Sequence, residues 1–326
     1  MDFILQMLID NPIVSGEVLC EKLGITRAGV WKRMEKLREL GYHIEAQGRT
    51  GYSLRLQPNG LLPAEIKKTL QTKKMGQGDI QYAFTMDSTN TTAKEMGASG
   101  APHGSVAVCA HQSQGKGRLG RSWEDEAHAS LLHSLLLRPQ LPLEKVQLCT
   151  LASALSMAKA INVLYEAPVA SIKWPNDIIV QKKKCAGILS EIVADMDGIS
   201  FVVVGVGVNV NQHTFPTELE EKAISLCMID TKPAPCLRNL LCTYLLQMEH
   251  TLEQLEKGDM QGFLQEYKAH SCTIGNEVMV CETKGSWQGK AVDIDETGAL
   301  LVVMQDEQTR RVLAGDVSVR GLLGYV

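Results

Sequence analysis

The sequence lacks an uninterrupted apolar run of the roughly 18 residues that a membrane-spanning helix needs. Its longest apolar stretches, such as residues 131–137 and 199–208, are broken by Ser, His or Gly. Residues 1–11 include two aspartates and neither lysine nor arginine, whereas a signal peptide begins with positive charge. We therefore expect no membrane partner and a cytoplasmic location.

The sequence also lacks the usual patterns of disulfide and zinc chemistry. Its nine cysteines are an odd number without a C-x-x-C pair, and none of its eight histidines belongs to an H-E-x-x-H motif. We expect free thiols and assign no residue as a metal ligand. The net charge of 33 minus 37, or −4, gives no reason to expect a polyanion partner for the chain as a whole.

What the sequence does contain is enough for at least two domains, because 326 residues exceed the roughly 150 of a typical domain. Its 44% hydrophobic and 21% charged residues are typical of a folded protein. Composition and pattern change near residues 60 and 270. We predict a winged helix-turn-helix domain over 1–60, a mixed-sheet α/β domain over 61–270 and a small SH3-like β-barrel over 271–326.

The first sixty residues differ from the rest in charge. Residues 22–38 contain six basic residues and one acid. Helices are predicted over 2–9, from the N-cap Ser15 to Gly24, and from the N-cap Thr26 to Gly41, with Val30, Met34, Leu37 and Leu40 on one face. Extended runs follow at 42–46 and 52–56, and residues 57–60 are predicted as a linker.

The third helix is predicted to enter the major groove of DNA, with a wing that contacts phosphate. The alternative is a solvated basic face on a protein-interaction module. The residues predicted to contact DNA are Gly16, Thr26, Arg27, Ala28, Gly29, Lys32, Arg33, Lys36 and Arg49.

The central region alternates between strand and helix patterns. Strands are predicted over 80–86, 104–110, 130–138, 169–174, 184–193 and 199–210. A long helix over about 144–165 has apolar residues at three- and four-residue steps, and helices follow over 234–256 and 260–269. Short alternating runs at 277–281, 288–293, 300–304 and 309–314 predict the barrel.

Residues 115–123 form a glycine-rich segment whose start matches G-x-G-x-x-G. A dinucleotide fingerprint must open an apolar helix, but the acidic residues 124–126 follow here, so the Rossmann interpretation is disfavoured. Lys116, Arg118 and Arg121 instead suit an anion such as a phosphate or carboxylate. The alternative is a basic surface turn.

Four other segments contain candidate site residues. Lys173, Asn176 and Asp177 lie within five residues of one another and suit a metal-bound nucleotide phosphate, or else a tight turn. Lys184 opens an apolar strand, and Gly205 and Gly207 interrupt another where a flat ligand or backbone comes close. Residues 88–90 are either an N-cap or a ligand-orienting group. No activated nucleophile is evident, which indicates chemistry between bound substrates.

In this order, the motifs resemble those of the biotin–protein ligases that are fused to a biotin-operon repressor. The matching segments are the winged helix, residues 87–90, Gln112 with residues 115–123, K-W-P-N-D at 173–177, K-C-A-G-I-L-S-E at 184–191, G-V-G-V-N-V-N at 205–211 and L-A-G-D-V-S at 313–318. The sequence departs from the family at Lys116, where arginine is more usual; lysine keeps the positive charge but lacks the bidentate geometry of arginine. Residues 212–222 cannot be aligned.

The resemblance implies that biotin and ATP, with Mg²⁺, form biotinyl-adenylate. Biotin then passes to a lysine of the biotin carboxyl carrier protein of acetyl-CoA carboxylase or a related enzyme. Lys184 and Arg118 would be catalytic. The biotin site would comprise Ser88, Thr89, Asn90, Gln112, Lys116, Gly117, Arg118, Lys184, Gly187, Gly205 and Gly207. The nucleotide site would comprise Arg118, Arg121, Trp123, Lys173, Asn176, Asp177 and Asn209.

The resemblance further implies that adenylate-bound chains form a homodimer, pair through the central sheet and bind operator DNA. Two other hypotheses remain open at this stage. One is a biotin-sensing repressor with little ligase activity, and the other is an NAD-binding oxidoreductase.

Overall fold

The computed structural model describes residues 2–39, 42–48, 50–55, 60–195, 198–282, 285–313 and 316–319. Within it the chain divides into two compact units, Met1–Leu70 and Gln71–Val326. The predicted helix end at Gly41, the linker residues 57–59 and the wing residue Arg49 lie outside the described residues.

The first unit consists of helices and one short hairpin, as a winged helix-turn-helix requires. Its elements are α1 (Asp2–Asp10), α2 (Gly16–Leu23), α3 (Arg27–Glu39), the antiparallel strands β1 (Ile44–Ala46) and β2 (Tyr52–Leu54), and α4 (Pro63–Thr69). Ser15 caps α2 by accepting the N–H of Val18, and Thr26 Oγ1 accepts the N–H of Gly29 at 3.2 Å. Because α4 contacts α1, this unit extends to Leu70, beyond the boundary predicted at residue 60.

The second unit is built on a seven-stranded sheet in the order β3-β4-β5-β9-β8-β7-β6. Only the pair β3 and β4 is parallel, so the sheet is mixed as predicted. The strands are β3 (Ile80–Met86), β4 (Val106–Gln112), β5 (Ser130–Leu137), β6 (Ala170–Lys173), β7 (Asp177–Val180), β8 (Lys183–Asp195) and β9 (Gly198–Asn209).

Helices cover both faces of this sheet. They are α5 (Thr89–Ala98), α6 (Leu148–Tyr165), α7 (Leu237–Glu256) and α8 (Met260–His270). Leu136 of β5 packs with Ala93 and Met96 of α5. His133, three residues earlier in β5, instead contacts Tyr244 of α7, because side chains alternate between the two faces along a strand.

Two element boundaries differ from the prediction for local reasons. Strand β4 begins at Val106 and not at Gly104, because Gly104 has φ +85° and a Cβ there would lie 2.4 Å from Lys74 O. The strand ends at Gln112, two residues beyond the end predicted at residue 110. Helix α6 begins at Leu148, after a short 3₁₀ turn at Leu143–Lys145.

Helix α6 is the central helix of the core. By length and composition the segment Leu143–Tyr165 could cross a membrane, but 72% of its apolar window is buried within the protein. Its apolar residues pack between the sheet and α7.

The C-terminal part of the second unit is a five-stranded antiparallel sheet in the order β13-β12-β11-β10-β14. Its strands are β10 (Glu277–Glu282), β11 (Gly285–Ile294), β12 (Leu300–Val303), β13 (Thr309–Val312) and β14 (Asp316–Val319). Trp174 of the central sheet connects to this part, because its indole N–H donates to Gly298 O and its backbone N–H donates to Thr273 Oγ1.

Candidate active site and nucleic-acid interface

The middle of the central sheet has a floor of glycines on the face that α5 covers. The strand register places Gly187 of β8 directly opposite Gly207 of β9, and Gly205 lies two residues away. A Cβ would lie 2.0 Å from Asn90 Oδ1 at Gly205 and 2.6 Å from Trp123 Cε2 at Gly207. The glycines were expected to leave room for biotin, but two side chains of the chain itself occupy that space.

One end of the floor is polar. Thr89 donates to Gln112 Oε1 from its backbone N–H at 2.8 Å and from its hydroxyl at 3.1 Å. The Ser134 hydroxyl lies 2.7 Å from Thr89 Oγ1 and 2.6 Å from Asn90 Oδ1, and it donates to one of these oxygens. Ser88 occupies the N-cap position of α5 but makes no capping hydrogen bond, so the N-cap alternative does not explain its side chain.

A partly exposed ion pair fixes the amide of Asn90. Asn90 Nδ2 donates to Glu191 Oε2 at 2.7 Å and to Leu189 O at 3.2 Å, and Lys94 forms a salt bridge with the other oxygen of Glu191. Burial opposes ionisation of Glu191, but hydrogen bonds from Lys94 and Asn90 hold its pKa below the ordinary value. Sequence reasoning did not assign a role to Ser134, Glu191 or Lys94. Strand alternation would have placed Ser134 on this face.

Residues 115–123 form a small hairpin at the edge of the floor, here called the cationic hairpin. The Trp123 N–H donates to Gly115 O at 3.0 Å, and the Gly117 N–H donates to Arg121 O at 2.7 Å. Its tip is a three-residue turn at Arg118–Gly120. No apolar helix follows, as predicted, so the G-x-G-x-x-G match is not a dinucleotide fingerprint.

Lys184 lies between the indole of Trp123 and the carboxylate of Asp177. Its Nζ lies 2.7 Å from Asp177 Oδ1 and 5.8 Å from the centroid of the Trp123 ring. Asp177 begins β7 directly after Asn176, whose side chain accepts a hydrogen bond from Arg118 at 2.8 Å. The structure therefore brings the hairpin, the 173–177 segment and Lys184 together.

Two adjacent cavities share the walls formed by Trp123 and Lys184. The first, of about 120 Å³, is lined by Ser88, Thr89, Asn90, Gln112, Lys116, Gly117, Arg118, Arg121, Ser122, Trp123, Asn176, Asp177, Lys184, Gly187, Ile188, Leu189, Gly205, Val206 and Gly207. The second, of about 330 Å³, is lined by Arg121, Ser122, Trp123, Glu124, Lys184, Asn209, Phe215, Leu219, Lys222 and Ala223.

Every residue predicted for biotin lines the first cavity, whereas those predicted for the nucleotide are divided between the two. Lys173 is buried at the end of β6, and neither cavity has it in its lining. Sequence reasoning missed Phe215, Leu219 and Lys222 because their segment could not be aligned.

In the first unit, the exposed face of α3 is the candidate nucleic-acid interface. Lys32 and Lys36 are exposed on it, opposite the buried residues Val30, Met34 and Leu37. Arg27 pairs with Glu17 of α2 at 2.6 Å. Trp31 of α3 is also 58% exposed, and sequence reasoning did not assign it a role.

These features define a class of protein in which an α/β ligand-binding unit with a cationic hairpin is fused to a helix-turn-helix unit. Residues 82–209 match the Biotin/lipoate A/B protein ligase family. Residues 1–53 match an HTH domain, and residues 273–320 match the Biotin protein ligase C terminal domain.

Curated relatives narrow the class. The chain is 34% identical over 317 residues to the "Bifunctional ligase/repressor BirA" of Bacillus subtilis, a match that covers 94% of each chain. It is 34% identical over 268 residues to the "Biotin--[acetyl-CoA-carboxylase] ligase" of Mycobacterium tuberculosis, covering 79% of this chain and 96% of that one.

Solved structures agree with this result. The biotin protein ligase from Aquifex aeolicus in complex with biotin and ATP has a TM-score of 0.64 and 28% identity, and the match covers 74% of this chain and 98% of that one. The chain belongs to the family of bifunctional biotin–protein ligases and repressors.

Proposed function

We propose that this chain joins biotin to ATP, transfers biotin from the resulting adenylate to a carrier protein, and represses transcription in its adenylate-bound state. The observation that supports this most directly is the position of Lys184, which lines both cavities. A cation at the junction of two ligand sites is suited to a reaction between the two ligands.

The first cavity is proposed as the biotin site. Ser88, Thr89 and Gln112 form a compact polar end that suits the ureido ring, while Asn90 holds this end against the sheet. The cationic hairpin with Lys116, Gly117 and Arg118 would cover the acyl chain. Trp123 lies over Gly187 and Gly207, so we expect the indole to shift when biotin occupies the floor.

The second cavity is proposed as the site of the nucleotide base. Phe215, Leu219 and Trp123 provide apolar walls, and Asn209 provides a polar group. A base is flat and aromatic and therefore suits such walls. Arg118, Arg121 and Lys184 would face the phosphates near the shared wall. The role assigned to Lys173 remains a prediction.

The chemistry needs no nucleophile from the protein. A carboxylate oxygen of biotin attacks the α-phosphorus of ATP, and pyrophosphate leaves as the bond forms. The carrier lysine amine then attacks the carbonyl carbon of the mixed anhydride, AMP leaves, and the amine loses a proton. Lys184 and Arg118 would stabilise the negative charge that develops on the phosphate oxygens.

A divalent cation also suits this site. Mg²⁺ is usually bound by one or two carboxylates together with substrate phosphates, and Asp177 with the adjacent amide of Asn176 provides such a set next to Lys184. When bound, Mg²⁺ would neutralise phosphate charge.

The proposed acceptor is the biotin carboxyl carrier protein of acetyl-CoA carboxylase or a related enzyme. The proposed regulatory form is a homodimer in the cytoplasm that binds operator DNA through α3. The exposed cations Lys32 and Lys36 support the DNA contact.

The test is to incubate the purified protein with Mg-ATP and labelled biotin, without carrier. We expect protein-bound biotinyl-adenylate together with released pyrophosphate. If biotin binds but no pyrophosphate appears, the ligase assignment is wrong and the chain is a biotin sensor.

A further inference from the structure

The two ends of the cationic hairpin are joined by a pair of titratable side chains. His111 lies near the end of β4, four residues before the hairpin, and Asp125 lies two residues after it. His111 Nδ1 is 3.0 Å from Asp125 Oδ2, and the Gln112 N–H points to the same oxygen at 3.4 Å. The two residues are 14 positions apart in the sequence, and their contact closes the loop between them.

Asp125 is buried to an unusual degree for a loop carboxylate. Its side chain is 1% exposed, whereas that of His111 is 37% exposed. Burial raises the pKa of Asp125 above the ordinary value, and the contact with His111 opposes this shift. Since a buried carboxylate is costly without partners, the contact with His111 contributes to holding this segment in place.

Both residues adjoin groups of the proposed biotin site. Gln112 directly follows His111 and accepts two hydrogen bonds from Thr89. Trp123 precedes Asp125 by two residues and rests on Gly207. Fixing the base of the hairpin therefore holds two groups that line the first cavity, Gln112 and Trp123.

We propose that His111 and Asp125 are positioning residues that clamp the base of the cationic hairpin and thereby slow the release of biotinyl-adenylate. The inference deepens the proposed function and rests on it for the ligand. Neither residue lines the first cavity, so both act through Gln112 and Trp123.

We expect the loss of this clamp to change the rate of ligand release more than the rate of the chemical step. Without it, the hairpin opens more often, and the adenylate escapes and biotin binds less tightly. Arg118 moves with the hairpin, but in the closed state its contact with Asn176 and the contact of Lys184 with Asp177 do not involve His111 or Asp125. The chemical step in the closed state is therefore preserved.

The test compares the full-length variants Asp125→Ala, His111→Ala and Asp125→Asn with the wild type. For Asp125→Ala we expect biotinyl-adenylate to dissociate about tenfold faster, as loss of one charged hydrogen bond implies. The biotin KM should rise by a similar factor, and kcat for pyrophosphate release should change less than twofold. Asp125→Asn should behave much like the wild type in all these measurements, because its amide oxygen accepts the same hydrogen bonds.

A second measurement needs no ligand. Trypsin cleaves after Lys116, Arg118 and Arg121, all within the hairpin, and cleavage reports how often this segment opens. We expect cleavage of the ligand-free Asp125→Ala protein at these sites to be about tenfold faster. Glu126→Ala is the matched control, because it removes an exposed acid one residue further on and should behave as the wild type.

Each contrary result overturns the inference. Unchanged cleavage and unchanged adenylate release in Asp125→Ala would show that there is no clamp. Faster trypsin cleavage of the hairpin with unchanged release of biotinyl-adenylate would exclude the positioning role. A lower kcat at constant biotin KM would exclude it as well. If Asp125→Ala does not fold, His111→Ala removes the same contact, and wild-type adenylate release and wild-type cleavage in that variant are the contradicting result. A wild type that forms no adenylate refutes the proposed function alone, since trypsin still tests the clamp.

Discussion

Trp123 rests directly on Gly207, so that a Cβ at this glycine would lie 2.6 Å from the indole. The contact explains why a glycine occupies the middle of an otherwise apolar strand. It also places the aromatic side chain between the two cavities, where it forms a wall of each.

The first prediction concerns this contact. Gly207→Ala should displace the indole, because real Cβ atoms do not approach other atoms so closely, and the biotin KM should rise at least several-fold. The strand itself should form, since alanine is compatible with an extended backbone.

The double variant with Trp123→Ala provides the control for Gly207→Ala. If the clash is the cause, Gly207→Ala should have little further effect once Trp123 is absent. An equal effect in both backgrounds would mean that the added methyl group acts on another part of the site.

The second prediction concerns Lys184. Lys184→Ala should reduce biotin-dependent pyrophosphate release by about 100- to 1000-fold, because a cation that stabilises developing phosphate charge is lost. The protein should still fold, with a modestly lower thermal unfolding midpoint, because Lys184 is 31% exposed but its partner Asp177 is only 12% exposed and loses this ion pair.

Lys183→Ala is the matched control for Lys184→Ala. Lys183 is the preceding residue and is half-buried, with its Nζ donating to Glu220 O. Near-normal adenylation by Lys184→Ala, or an equal loss in Lys183→Ala, would argue against the catalytic role.

The third prediction concerns the acid stability of the core. His133 is fully buried beside Tyr244 with neither ring nitrogen hydrogen-bonded, and burial lowers its pKa to about 3. Between its unfolded pKa of about 6.5 and its folded pKa, the unfolded chain binds a proton that the folded chain does not. The free energy of unfolding should therefore fall by about 2 kcal/mol from pH 7 to pH 5 through this residue.

His133→Leu should remove that part of the pH dependence, as measured from urea unfolding at the two pH values. His213→Leu, at an exposed histidine, should keep the wild-type dependence. A His133→Leu protein with an unchanged pH dependence would show that the buried imidazole is not responsible.

The fourth prediction concerns the first unit. Lys32→Ala and Lys36→Ala should each weaken binding to a mixed-sequence DNA duplex and reduce the slope of log K against log salt by about 1. Adenylate formation should be unchanged in both.

Lys67→Ala provides a control in the same unit, because Lys67 is exposed on α4. Removal of residues 1–70 should abolish DNA binding altogether. DNA affinity that survives this deletion would place the nucleic-acid interface elsewhere in the chain.

Much of the architecture could be predicted from local sequence. The apolar spacing of Val30, Met34 and Leu37 indicates the buried face of α3, and all three are buried. The bounds predicted for β3 agree with the structure because its pattern is bounded by turns. The acidic residues after the hairpin were enough to disfavour a dinucleotide fold, because a phosphate-binding helix cannot begin there.

The sequence by itself determined which residue types are available for chemistry: the cations of the hairpin, Lys184, Asp177 and the glycines of β8 and β9. Only the tertiary structure decided which of them meet. Strand register sets Gly187 opposite Gly207, whereas side-chain packing places Asn90 above Gly205 and His111 against Asp125. Periodicity and caps act within a few residues, whereas strand register and side-chain packing depend on the whole folded chain.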